Sequence, residues 1–423
     1  MNIPFYIICT LIVFTPLARG SVHPWATTII QILILLSAII MVAKKTAIPK
    51  TPMTKPITAI LILCAVSFTF SSHKPVAFEG LLMLLTYIAA YFITQSCVKT
   101  RKQQRILVYT IIATAILLSV IGIFKRFGLN PLPFWIYPDI GNPSPDSISG
   151  AYVNRNHLAG FLEMAIPLLI ILFITRQRTL ETKLGLVFLT LFLLTTQAFT
   201  LSRGGWISTI TAILFLAVVL LSQKSFVDKK IILTIGACIV IMSLFILASL
   251  PVVERITTLT QQDTTDNISG RMRCWKGTIL HIKDNLLLGT GPNTFTVAYP
   301  AYQIPGPAVL RRYAHNDYLH FTAETGILFI PILMYTLFCF FRTGFQNLKS
   351  QSRQKKGIAL GAMAAIFAIL IHSFSDFNLN IPANAFTFTV IAALVFNPSE
   401  SSEKICVPKK KVILINFMAY YKA

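Results

Sequence analysis

The stretch Arg311-Arg312-Tyr313-Ala314-His315-Asn316-Asp317 sets two arginines, a histidine and an aspartate just ahead of an apolar run that starts at Gly326. Within it only His315 has an ordinary pKa near neutrality. His315 is therefore the candidate general base for taking a proton from a hydroxyl. Asp317 or Glu324 could orient it, and Arg311 and Arg312 could hold an anion beside it. The structural alternative is a helix cap with paired charges. A metal site built from His315, Asp317, His320 and Glu324 is a third reading, but no H-E-x-x-H or similar spacing supports it.

Four other stretches carry polar chemistry where charge is costly. In "TLSRGGWIS" (200–208), Arg203 sits between two apolar runs with almost no loop, which suggests function. A snorkelling interfacial arginine is the plain alternative. In "NISGRMRCWKGTILHIKDNLLLGTGPNTF" (267–295), Asn267 or Ser269 caps a helix expected to begin near Gly270. Helical spacing puts Arg271, Trp275, Thr278 and Ile282 on one face. Arginine beside tryptophan suits an anionic or sugar ligand. An amphipathic helix lying on a bilayer is the competing reading. "GTGPNTF" lacks a third glycine and a strand–helix context, so dinucleotide binding is rejected. "IHSFSDFNLNIPANAF" (371–386) places Asp376 and Asn378 between two apolar runs. "YVNRNHLAGFL" (152–162) places Arg155, Asn156 and His157 at the start of another, where they cap it or line a cleft.

The elements that must position these groups are membrane helices. Of 423 residues, 55% are hydrophobic and 12% charged, against about 25% charged in soluble domains. The expected fold is an all-α polytopic membrane protein forming one domain over 1–423. Twelve spans are read near 2–18, 25–43, 57–72, 76–95, 106–124, 157–174, 184–200, 206–222, 231–250, 326–341, 358–372 and 383–396. The first is read as an uncleaved helix, because no Lys or Arg precedes its apolar stretch. Most basic residues fall in alternate loops and in the tail 397–423. The positive-inside rule makes that side cytoplasmic, with both termini inside. The net charge of +22 is thus topology, and no nucleic-acid partner is implied. All the polar stretches fall on the opposite side, including a large loop over 251–325. The seven cysteines show neither CxxC nor Cys/His ligand spacing, so neither a disulfide framework nor a zinc site is supported.

In their order along the chain, "NRNHLAGFL", "LSRGGW", "SGRMRCW…LLLGTGPNTF", "HNDYLHFTAETGILF" and "HSFSDFNLNIPANAF" resemble the O-antigen ligase and Wzy-type polymerase superfamily, over about 152–390. The resemblance implies a GT-C-like membrane glycosyltransferase of the bacterial inner membrane. It implies an inverting, metal-independent reaction with no cofactor. The donor would be a glycan linked to undecaprenyl diphosphate. The acceptor would be a periplasmic hydroxyl on a lipid A-core sugar, a growing polysaccharide or a protein Ser/Thr. These describe a ligase, a polymerase and an oligosaccharyltransferase. Arg203 and Arg271 would neutralise the diphosphate, and His315 would act as base. Arg273 competes with Arg271 for the motif position, and spacing from Trp275 favours Arg271. Trp275, Arg311, Arg312, Asn316, Asp317, Arg155, Asn156 and Asp376 are the further residues expected around the site. A transporter or flippase of an anionic lipid or solute is the alternative of another class. It calls for mid-membrane charge and inverted repeats. Only Glu79 and Glu163 lie within the spans, both near outer ends.

Overall fold

The computed structural model describes residues 2–129, 147–175, 179–222, 268–305 and 311–396. Within them every regular element is helical: α1 (Ile3–Leu17), α2 (Pro24–Ala43), α3 (Thr54–Phe70), α4 (Lys74–Cys97), α5 (Arg101–Arg126), α6 (Arg155–Thr175), α7 (Leu180–Phe199), α8 (Arg203–Ser222), α9 (Ile268–Asp284), α10 (Phe295–Ala298), α11 (Asp317–Thr325), α12 (Phe329–Asn347), α13 (Arg353–His372) and α14 (Pro382–Val395), with short 3₁₀ turns between some of them. Prolines at the first or second position open α2, α4 and α14, where a missing N–H costs no helical bond. A reciprocal Thr100–Gln103 capping box opens α5.

Eight helices (α2, α4–α8, α12 and α13) are long and apolar enough to cross a membrane. This is a polytopic membrane architecture. α1, α3 and α14 are shorter apolar helices. The 14 residues of α14 make a rod of about 21 Å, short of a hydrocarbon core of about 30 Å. The expected span 231–250, the expected loop segment 251–267 and the tail 397–423 lie outside the described residues.

The bundle is built around α6 and α13. Gly357, Ala359, Gly361, Ala362, Ala364, Ala365 and Ala368 are buried along α13. Small side chains let two backbones approach closely, and Leu168 and Ile171 of α6 lie against Gly361. The outward faces stay apolar, as with Met334 and Phe338 of α12.

One end of this bundle gathers the polar stretches. Ser67 near the end of α3 donates to the Leu288 carbonyl at 2.6 Å. Ile148, ahead of α6, donates its N–H to Phe199 at the end of α7 at 2.9 Å. The start of α8 abuts the end of α13 through Gly204 and His372. α9 bridges across this end. Its buried stripe is Cys274, Gly277, Thr278, His281 and Ile282, packed on α11 and on the 3₁₀ turn Tyr299–Tyr302. Of the face expected from spacing, Thr278 and Ile282 are buried, while Arg271 and Trp275 flank the stripe half-buried. "GTGPNTF" serves as a dock: Gly291 N–H donates to the Glu324 carbonyl at 2.8 Å, and Phe295 N–H to the Glu324 carboxylate at 3.0 Å.

Gly326 ends α11 with φ +83°, a backbone region open to glycine. An added Cβ would collide with the Leu287 carbonyl oxygen. Gly326→Ala should therefore cost roughly 1–3 kcal/mol of backbone strain, read as a lower melting temperature of the detergent-purified protein. An unchanged melting temperature would contradict this packing.

Candidate active site

The site is assembled on the turn after α13. The His372 carbonyl accepts from Ser375 N–H at 2.8 Å and Asp376 N–H at 3.1 Å. The turn leaves the Ser375 carbonyl facing Arg271, whose guanidinium donates to it. The segment entering α11 is stitched to the same loop. Asn316 caps α11 by accepting from Leu319 N–H at 3.0 Å, and its amide donates to the Phe374 carbonyl at 3.1 Å. The Asp317 carboxylate accepts from Ser373 Oγ at 2.8 Å, Leu379 N–H at 3.1 Å and Asn380 Nδ2 at 2.8 Å. Burial pushes the Asp317 carboxyl up to about 6, and these donors limit the rise.

Asp376 is 1% exposed. Its carboxylate accepts from Asn156 Nδ2 at 2.5 Å and from Phe377 N–H at 2.8 Å. Arg271 Nη2 lies 3.7 Å away and His315 Nδ1 3.8 Å away. Burial works to raise this carboxyl, but the charges of Arg271 and His315 lead a set of cationic neighbours that bring it down to about 2. It is an anion at neutral pH. His315 holds a left-handed backbone, φ +51°, uncommon for a residue with a side chain. Its ring meets Phe377 edge-on at 4.8 Å.

This changes the expected partner of His315. Asp317 or Glu324 was expected to orient it, whereas the carboxylate beside it is Asp376. Asp317 turns to Ser373, Leu379 and Asn380. Glu324 pairs with His320 at 3.2 Å and accepts from Phe295. Of the four residues in the metal reading, His320 and Glu324 face each other, while His315 lies beside Asp376 and Asp317 turns to Ser373, Leu379 and Asn380.

Arg203 opens α8, and the "LSRGGW" motif builds the corner beneath it. Trp206 Nε1 donates to the Gln197 and Ala198 carbonyls at 3.2 and 3.1 Å. Gln197 Nε2 donates back to the Gly205 carbonyl at 2.9 Å. Gly204 fits where no Cβ would: one would fall 2.6 Å from His372 Cδ2 and 2.7 Å from Ser375 Oγ. The corner carrying Arg203 and the turn holding Arg271 therefore share a wall.

The remaining expected residues spread around this core. Arg273 lies two residues from Arg271, on another side of α9. Trp275 is half-buried, with its indole N–H enclosed and without a hydrogen-bond partner among the described residues. Arg311 acts electrostatically on Cys274. Arg312 is exposed, and its carbonyl accepts from Thr296 Oγ1 at 3.1 Å. Arg155 is buried at the start of α6. Sequence reasoning missed His372, whose Nδ1 lies 2.9 Å from Glu163 Oε2. The available signal was an acidic residue inside a span.

Comparisons with known proteins come from two directions. Residues 186–334 match the family model described as O-antigen ligase, Wzy_C. This bears out the resemblance read from the motifs and supports an O-antigen ligase/polymerase-like membrane enzyme. An uncharacterised protein of Haemophilus influenzae is 21% identical over 314 residues, 69% of this chain and 73% of that one.

The depressed Asp376 carboxyl sets a pH dependence. The folded state releases this proton more readily than the unfolded chain, so the contribution is fully present above about pH 4. It is lost as pH falls towards about 2. Asp376→Asn should lower stability at neutral pH by on the order of 2 kcal/mol and flatten that limb of an acid-unfolding curve. Parallel curves for the two proteins would contradict it.

Proposed function

We propose that this chain transfers a glycan from an undecaprenyl-diphosphate-linked donor to an acceptor hydroxyl, at the periplasmic face of the bacterial inner membrane. The observation that carries this reading is the convergence, at one end of an apolar bundle, of an arginine held on a buried turn with a histidine beside a buried carboxylate. A lipid-linked donor keeps its diphosphate at the bilayer surface, at the level of the helix ends that carry Arg203 and Arg271.

The chemistry follows from the charges. As the bond between the anomeric carbon and the diphosphate oxygen breaks, negative charge grows on the leaving group. Arg203 and Arg271 offset that charge without losing a proton. The acceptor oxygen attacks from the opposite face, which inverts the anomeric centre. His315 takes the hydroxyl proton as the new C–O bond forms. Ionised Asp376 then stabilises the imidazolium 3.8 Å away, and it need not accept the proton itself. No metal is called for in this scheme. The basic residues of the alternate loops support an outward-facing site end. A lipid A-core sugar and the end of a growing polysaccharide both offer such a hydroxyl, so ligase and polymerase share this mechanism.

The test is turnover of purified protein in nanodiscs, supplied with a lipid-diphosphate-linked glycan and an acceptor, measured as undecaprenyl diphosphate released. His315→Ala should lower kcat by about 10²–10⁴-fold. Arg203→Ala or Arg271→Ala should lower kcat/KM by about 10²–10³-fold. Release by wild type that persists undiminished in His315→Ala would overturn the base assignment.

A further inference from the structure

Glu163 and His372 form a buried pair that the chemistry above does not use. Glu163 is 0% and His372 1% exposed. Glu163 Oε2 also accepts from Ser208 Oγ at 2.5 Å, so the pair ties α6, α8 and α13 together. Glu163 Oε1 is enclosed without a hydrogen-bond partner among the described residues. A buried ionisable pair is a poor device for stability, because desolvation cancels most of its attraction. Its placement suits another use.

His372 stands between the supports of both arginines assigned to the diphosphate. On one side its Cδ2 and Nε2 would lie 2.6 and 2.7 Å from a Cβ at Gly204, the residue after Arg203. On the other, the His372 carbonyl holds the Ser375 and Asp376 N–H groups at 2.8 and 3.1 Å. That turn presents the Ser375 carbonyl and the Asp376 carboxylate to Arg271. His372 therefore links the supports of two cations that sit on different helices: its ring packs against Gly204, and its backbone carbonyl holds the turn that faces Arg271. Glu163 fixes the ring by accepting from Nδ1.

We infer that Glu163 and His372 are positioning residues for the lipid-diphosphate donor: they set the spacing between Arg203 and Arg271 and do not touch the reacting atoms. The inference rests on the proposed transferase reading. Two cations held at a set separation suit a diphosphate, whose charged oxygens are themselves held apart by the bridging oxygen. Displacing the ring spreads or tilts the pair. The loss then falls on donor binding more than on proton removal.

The experiment measures steady-state kinetics of donor turnover in nanodiscs for wild type, Glu163→Ala, Glu163→Gln and Gly204→Ala. Glutamine keeps an oxygen that can accept from Nδ1. Alanine at Gly204 pushes the ring, and the Ser375 hydroxyl beside it, without deleting either. Glu163→Ala and Gly204→Ala should raise the donor KM about tenfold with kcat within about threefold of wild type, since loss of uniform binding appears in KM. Glu163→Gln should return KM to within about threefold of wild type. If Glu163→Ala fails to fold, Gly204→Ala and Glu163→Gln still test the positioning role. A KM unchanged in Gly204→Ala, or Glu163→Gln as impaired as Gly204→Ala, overturns that role. Absence of donor turnover in wild type itself would overturn the transferase reading instead.

Discussion

A carboxylate sealed inside an apolar bundle must find hydrogen bonds and opposite charge, or it takes up a proton. Asp376 meets that demand by drawing in groups from separate parts of the chain. Asn156 comes from the first turn of α6, Arg271 from the first turn of α9, and His315 from the segment ahead of α11. The site exists as a constellation because one buried anion needs all of them. The same anion holds the two side chains apart in space: Arg271 lies on one carboxylate oxygen and His315 on the other.

That charge is tolerable because hydrogen bonds and cationic side chains surround it. Asp317 staples α11 to the loop 373–380 with three accepted bonds. Asn384 of α14 accepts from the Tyr152 hydroxyl at 2.7 Å, and its amide donates to the His157 carbonyl and to Asn378 Oδ1, both at 2.9 Å. Hydrogen bonds are strengthened in a low-dielectric interior, so these contacts tie the loop to α6 and α14. Aromatic packing adds to this. Phe377 stacks on Tyr313 at 4.1 Å, while His157 and His315 each meet its ring edge-on. His315 is therefore held by ring contacts as well as by its αL backbone.

The helices were legible from apolar run length. Eleven of the expected spans coincide with described helices, including the shorter α1 and α3. The motif residues were legible because charge at a span end is costly, which singled out Arg203, His315 and Asp376 before any geometry. Pairings were not legible. Asp317 lies two residues from His315, yet its carboxylate turns towards the loop after α13, because the cap at Asn316 starts a helix there and rotates the two side chains apart. Asp376 lies beyond α12 and α13 and became the partner through folding alone. His372 was overlooked because one histidine at a span end resembles an interfacial side chain until a buried acid is seen facing it.

Asp376 and Arg271 act as one unit in a site organised this way. A double-mutant cycle on donor turnover tests this directly, comparing Arg271→Ala, Asp376→Asn and the double variant. If the two act together, the double variant is scarcely worse than the worse single variant, because the first lesion already dismantles the arrangement. Losses in kcat/KM that multiply in full would mean the two side chains work independently. That result would contradict a site organised by one buried carboxylate.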